Sequence, residues 1–139
     1  MARHIYDAPL RWSDQDAYAH INNVMYLRYL EEARVDMLFL GEHPANLDQD
    51  HGLVVRRNEI DYKRVLDYRP RPIRVETWVS EIRAASFTVD YEVVDLEAEG
   101  RRVLYAHARS MIVPVNLAEG RPLRISTEQR RVLERFLDD

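Results

Sequence analysis

The sequence predicts one α+β domain, an antiparallel sheet of about five strands around one long helix, with a short helix towards the C-terminal end. Three observations lead there. Val24 to Leu40 is apolar around most of its circumference at helical length, so other elements must cover it. Four later stretches read as extended, two of them with clear period-two alternation. The breaks "IRAAS" and "EAEG" between them are short enough for antiparallel hairpins. At 139 residues the chain has the length of a single domain with a substantial core.

Each element follows from local pattern. Ile5 to Trp12 places Tyr6, Ala8, Leu10 and Trp12 on one face, the period of a half-buried strand, with Pro9 pointing to an edge or a bulge. A polar turn follows. The long helix is expected from Val24 to Leu40, capped at its start by Asn22 or Asn23 and at its end by Gly41. Glu42 to Gly52 reads as a polar loop with Pro44. The four strands are Leu53–Tyr62, Ile73–Val79, Ser86–Val93 and Arg102–Val115, the last ending near Pro114. In "ISTEQRRVLERFL", Ser126 and Gln129 fit a capping box and Val132, Leu133, Phe136 and Leu137 share a helical face.

Composition narrows the function. Apolar residues make up 46% and charged residues 32%, the balance of a globular chain exposed to water. No window approaches eighteen uninterrupted apolar residues, so no membrane span is expected. The N-terminal "MARHIYDAPLRW" lacks the apolar middle of a secretion signal, and the expected compartment is the cytoplasm. Cysteine is absent, which removes disulfides, thiolate metal sites and a cysteine nucleophile. A net charge of −4 argues against a nucleic-acid partner. Lys63 is the one lysine; the other basic residues are arginines interrupted by acids, and a few of them suit a phosphorylated ligand.

The stretch "RWSDQDAYAHINNVMYLRYLEEAR" holds the chemistry. Its polar turn delivers the chain into the start of the apolar helix, where the first backbone N–H groups lack partners and carry partial positive charge. Such a place suits a carbonyl oxygen that becomes negative during reaction, and an adjacent aspartate can attack the carbonyl carbon or activate water. Each residue also has a plainer reading. Asp14 and Asp16 suit Asx turns, Asn22 and Asn23 suit caps, and His20 suits a structural hydrogen bond. D-x-D-x-x-x-H as a metal site lacks a fourth ligand. No G-x-S-x-G elbow, G-x-G-x-x-G or P-loop occurs, so serine hydrolysis and nucleotide-dependent chemistry have no support.

That stretch closely resembles the signature D-x-D-x-x-G-H-x-N-N-x-x-Y-x-x-Y-x-E-x-A-R of hotdog-fold acyl-CoA thioesterases of the 4-hydroxybenzoyl-CoA thioesterase type. The resemblance extends through the chain in element order. It implies a sheet wrapped around one helix and hydrolysis of an acyl-CoA thioester to a free acid and CoA, with no metal and no organic cofactor. Position by position, Asp16 falls on the catalytic carboxylate, as nucleophile or general base. Asn23 falls where a helix-terminal N–H polarises the thioester carbonyl. Tyr26 is implied to line the acyl pocket, and His20 and Asn22 to hold the loop at the substrate. The motif's usual glycine is Ala19 here, so either no positive φ is needed or the turn differs in geometry.

The resemblance also implies a homodimer, in some members a dimer of dimers, with each active site between subunits. Arg57, Arg69, Arg71, Arg83 and Arg102 are the candidates for the CoA phosphates. Tyr26, Tyr29, Tyr62 and Trp78 are the candidates to set pocket depth. Two other readings keep the fold. One is hydration or dehydration of an acyl thioester, disfavoured because His20 and Asp16 share one short loop. The other is an acyl-CoA-binding domain without turnover; regulators of this fold add a DNA-binding segment, for which the N-terminus leaves no room.

Overall fold

The computed structural model describes residues 3–40, 51–97 and 100–138. Strand β1 (His4–Ala8) alternates as expected and buries Ala8 completely. The alternation stops at Pro9, which has no N–H to extend a ladder. Leu10 still turns inward, but Trp12, expected on the same face, is 75% exposed. It opens a single 3-10 turn, Trp12–Asp14, closed by Asp14 N–H donating to the Arg11 carbonyl at 2.9 Å.

Helix α1 (Asn23–Leu38) begins one residue earlier than predicted and ends two earlier, with Phe39 as its C-cap; the expected cap Gly41 lies outside the described residues, as do residues 42–50 of the expected loop. Tyr26, Tyr29, Leu30, Ala33, Met37 and Leu38 are its buried stripe, at the three- and four-residue spacing that keeps one helical face inward. Burying each large side chain of this kind stabilises by about 1.5–3 kcal/mol. Among the described residues the cover is incomplete: Val24 is 63% and Leu27 43% exposed. The sheet is one layer and covers only the helix side turned towards it.

Strands β2 (His51–Tyr62), β3 (Ile73–Ile82), β4 (Phe87–Leu96) and β5 (Arg102–Asn116) overrun the predicted bounds by one to three residues at one end each, and β4 starts one residue late. Gly52, expected in the loop, is therefore in β2. A two-residue β6 (Arg121–Pro122), too short to carry a periodicity, pairs with the end of β5. Helix α2 (Thr127–Glu134) has the expected capping box, Ser126 Oγ accepting from Gln129 N–H at 3.0 Å and Gln129 Oε1 from Ser126 N–H at 3.1 Å.

The strands form one antiparallel sheet in the order β1-β3-β4-β5-β2. Irregularities between Val55 and Arg57, Val79 and Glu81, and Val93 and Val94 bend it. Such bulges raise local twist, which lets a sheet curl about a helix. The core is the contact of α1 with the inner face, built from Ile73, Val75, Val79, Val89, Tyr91 and their neighbours. On the outer face Trp78 lies beneath the Arg3 guanidinium, 3.8 Å from its ring centre. β2 is an edge, paired with β5 on one side only among the described residues. Its end meets the start of α1, where Tyr62 Oη donates to the Asn23 carbonyl at 3.0 Å.

Candidate active site

The polar turn closes on itself before the helix begins. Gln15 bridges to Ile21, Asp16 N–H donates to the His20 carbonyl at 2.7 Å, and Ala19 N–H donates to the Asp16 carbonyl at 3.1 Å. Ala19 has φ +63°, the left-handed conformation that glycine takes freely and alanine resists. The turn thus requires a positive φ and imposes it on alanine.

The two aspartates have different tasks. Asp14 is 1% exposed and accepts from Tyr29 Oη at 2.7 Å, Arg28 Nη2 at 2.8 Å, Arg11 Nε at 3.0 Å and Arg11 N–H at 3.1 Å. Burial opposes its charge, but the bonds from Tyr29, Arg11 and Arg28 prevail and hold its carboxyl at about 2. Its carbonyl also accepts from Asn22 N–H at 2.9 Å. Asp14 therefore ties the turn to α1. Asp16 is only half-buried. Its Oδ1 accepts from Tyr18 N–H at 2.9 Å and His20 N–H at 3.2 Å, an Asx-type arrangement, while Oδ2 accepts no hydrogen bond among the described residues. One oxygen fixes the side chain and the other stays uncommitted.

At the helix start Asn22 caps, its Oδ1 accepting from Val24 N–H at 3.1 Å. Asn23 follows as the first helical residue, whose N–H has no acceptor within the helix. Asp16, His20, Asn23 and Tyr26 line one cleft of about 300 Å³; the capping Asn22 does not. Tyr26 is 1% exposed, and burial, then the nearby Tyr62 and Tyr105, push its hydroxyl well above the usual tyrosine range. The Tyr26 ring meets Tyr62 edge-on, ring centres 5.1 Å apart. His20 sits on the side of Asp67, with Nε2 3.8 Å from its carboxylate, and the adjoining Ile21 N–H donates to the Leu66 carbonyl at 2.8 Å. Among the described residues no three His, Asp or Glu side chains converge as metal ligands, so Asp14, Asp16 and His20 do not form such a group.

The opposite wall comes from the end of β2 and the chain beyond it: Tyr62, Lys63, Arg64, Val65 and Leu66. Of these only Tyr62 is among the sequence candidates. No local pattern marks the others, because long-range pairing brings them to the turn. Tyr29 and Trp78 are elsewhere: Tyr29 is given to Asp14, and Trp78 is on the outer face. The five arginines singled out from sequence are each paired with carboxylates. Arg69 and Arg71 both reach Asp95 at 2.8 Å, and Arg102 bridges Glu76 and Glu92. Arg57 pairs with Glu59 and Arg83 with Glu81, both lining a separate polar recess on the sheet.

Residues 10–133 match the sequence profile of the thioesterase-like superfamily. Among solved structures, a putative thioesterase from Pseudomonas aeruginosa is 27% identical, with 92% of this chain and 95% of that one aligned at a TM-score of 0.79. The probable thioesterase YbaW from Escherichia coli is 25% identical over 99% of this chain and all (100%) of its own, TM-score 0.74. A variant of 4-hydroxybenzoyl-CoA thioesterase, complexed with 4-hydroxybenzoyl-CoA, has a TM-score of 0.84 over 96% of this chain and 99% of that one; at 16% identity the likeness is one of fold. Among curated proteins no sequence matches the chain. With this helix-wrapping sheet and a profile match over most of its length, the chain belongs to the thioesterase-like superfamily, as a hotdog-fold thioesterase.

Proposed function

We propose that the cleft hydrolyses acyl-CoA thioesters to the free carboxylic acid and CoA, with Asp16 as the reacting carboxylate and the Asn23 N–H as the oxyanion donor. The observation that carries this reading is the meeting of Asp16 and the helix start in one cleft with an apolar floor. The Asn23 N–H, reinforced by the positive end of α1, stabilises the negative charge that grows on the thioester oxygen. As general base, Asp16 takes a proton from water while the water oxygen bonds to the carbonyl carbon; collapse then breaks the carbon–sulfur bond and releases CoA. As nucleophile, the Asp16 carboxylate bonds to the carbonyl carbon and the carbon–sulfur bond breaks to release the CoA thiolate; water then opens the resulting anhydride to the free acid and the Asp16 carboxylate. Tyr26 walls the acyl end, and His20 and Asn22 keep the turn in register with the helix.

The proposed assembly is a cytoplasmic homodimer, alone or paired into a tetramer, with the cleft between subunits. The edge of β2, unpaired among the described residues, and the exposed Val24 and Leu27 support it. Release of free CoA from a panel of acyl-CoAs, acetyl through long-chain and aromatic, tests the reaction. Turnover on at least one class is expected; its absence on all of them, with the fold intact, points to a binding role.

A further inference from the structure

The geometry points to Lys63 and Arg64 as an anion clamp at the rim of this cleft, taking the phosphates of the substrate's CoA arm. The inference rests on the hydrolysis reading for its substrate and goes beyond it in naming which cations hold that substrate. At the end of β2 both backbone N–H groups converge on one acceptor, the Tyr105 carbonyl, Lys63 at 2.8 Å and Arg64 at 3.2 Å. This doubled pairing ends the regular ladder and brings both residues, next to Tyr62, onto the cleft wall facing Asp16.

Two contrasts give the pair its meaning. The first is charge: neither residue makes an ion pair among the described residues, whereas Arg57, Arg69, Arg71, Arg83 and Arg102 are all neutralised by carboxylates. Arg74, Arg121, Arg130 and Arg131 also make no ion pair among the described residues; what sets Lys63 and Arg64 apart is that these adjacent cations line the cleft that holds Asp16. The second is depth. Tyr26, Ile21 and Leu66, all but inaccessible to solvent, form an apolar floor, while Lys63 and Arg64 are exposed. An apolar acyl group belongs at the floor and the phosphorylated arm at the rim. A carboxylate on the acyl group is the other anion such a clamp would accept.

The test compares an acyl-CoA with the same acyl group on N-acetylcysteamine, which lacks every phosphate, in the wild type and a Lys63→Gln, Arg64→Gln double variant. The preference for the CoA form should fall about tenfold or more, through KM. Calorimetric titration with free CoA should show the same weakening without needing turnover. Equal losses on both thioesters would overturn the clamp, as would no loss on either. If only a carboxylate-bearing acyl-N-acetylcysteamine responds, the anion is the acyl carboxylate and the assignment to CoA phosphates is overturned. A wild type that hydrolyses neither thioester, yet loses CoA binding on substitution, would overturn the hydrolysis reading and leave the clamp supported.

Discussion

Ala19 and Asp14 show how single residues hold the turn that presents Asp16. The left-handed conformation of Ala19 costs an L residue about 1–2 kcal/mol. Glycine removes that strain but frees the unfolded chain, an opposing effect of about 0.4–1 kcal/mol. Ala19→Gly should therefore raise unfolding free energy in urea by up to about 1 kcal/mol; a loss of stability would contradict the strained turn. Asp14 acts through charge. Its carboxyl is held at about 2, below the ordinary 3.8, so folding favours the ionised form. The stabilisation is complete above pH about 4 and is lost as pH falls through about 2, a total of about 2 kcal/mol. Urea unfolding of wild type and Asp14→Asn should differ by about 2 kcal/mol at pH 5 and by under about 1 kcal/mol at pH 2.5. A gap that does not shrink would remove the ion pair from the account. The Asx-type turn at Asp16 and the cap at Asn22 are legible in the sequence because both are local hydrogen-bond patterns. The positive φ of Ala19 is legible only in the structure, since alanine does not disclose it as glycine would.

At the scale of elements, the site depends on the end of β2 meeting the start of α1. Tyr62 makes that connection, by its hydroxyl on the Asn23 carbonyl and its ring against Tyr26. Tyr62→Phe keeps the ring and removes a bond worth about 1 kcal/mol. If the bond orients the helix start, kcat should fall about fivefold with KM nearly unchanged, beside a drop of a few degrees in melting temperature. A lowered melting temperature with normal kcat would assign Tyr62 to the fold alone. β3 and β4 were legible because strict alternation survives any partner. β1 was over-read at Trp12, since Pro9 ends the ladder while the apolar pattern runs on. The all-round apolarity of α1 predicts enclosure, but among the described residues one layer of sheet covers one side and Val24 and Leu27 stay exposed. The wall bearing Lys63 and Arg64 had no local signal, because β2–β5 pairing sets where it lies.

In the whole molecule, the end of β2 and the start of α1 line the cleft, and β2 is an edge among the described residues; the proposed assembly would complete the site there. Sedimentation at micromolar concentration should give at least twice the mass of one chain. A monomer with full activity would contradict a shared site. The order of elements and the fold were legible, because the motif, the helix and the alternating strands each reported the same architecture independently. The tie that Asp14 makes to α1 is not legible, since Arg28 and Tyr29 reach it only once the turn has folded against the helix. The account turns on Asp16, and its most direct measurement is the rate of CoA release by wild type and Asp16→Asn on the best acyl-CoA, with melting temperature and CoA binding recorded alongside. Loss of a general base or nucleophile predicts a fall in kcat of about 10²–10⁴-fold, with folding and CoA binding kept. A folded Asp16→Asn variant that turns over within a few-fold of wild type would contradict it.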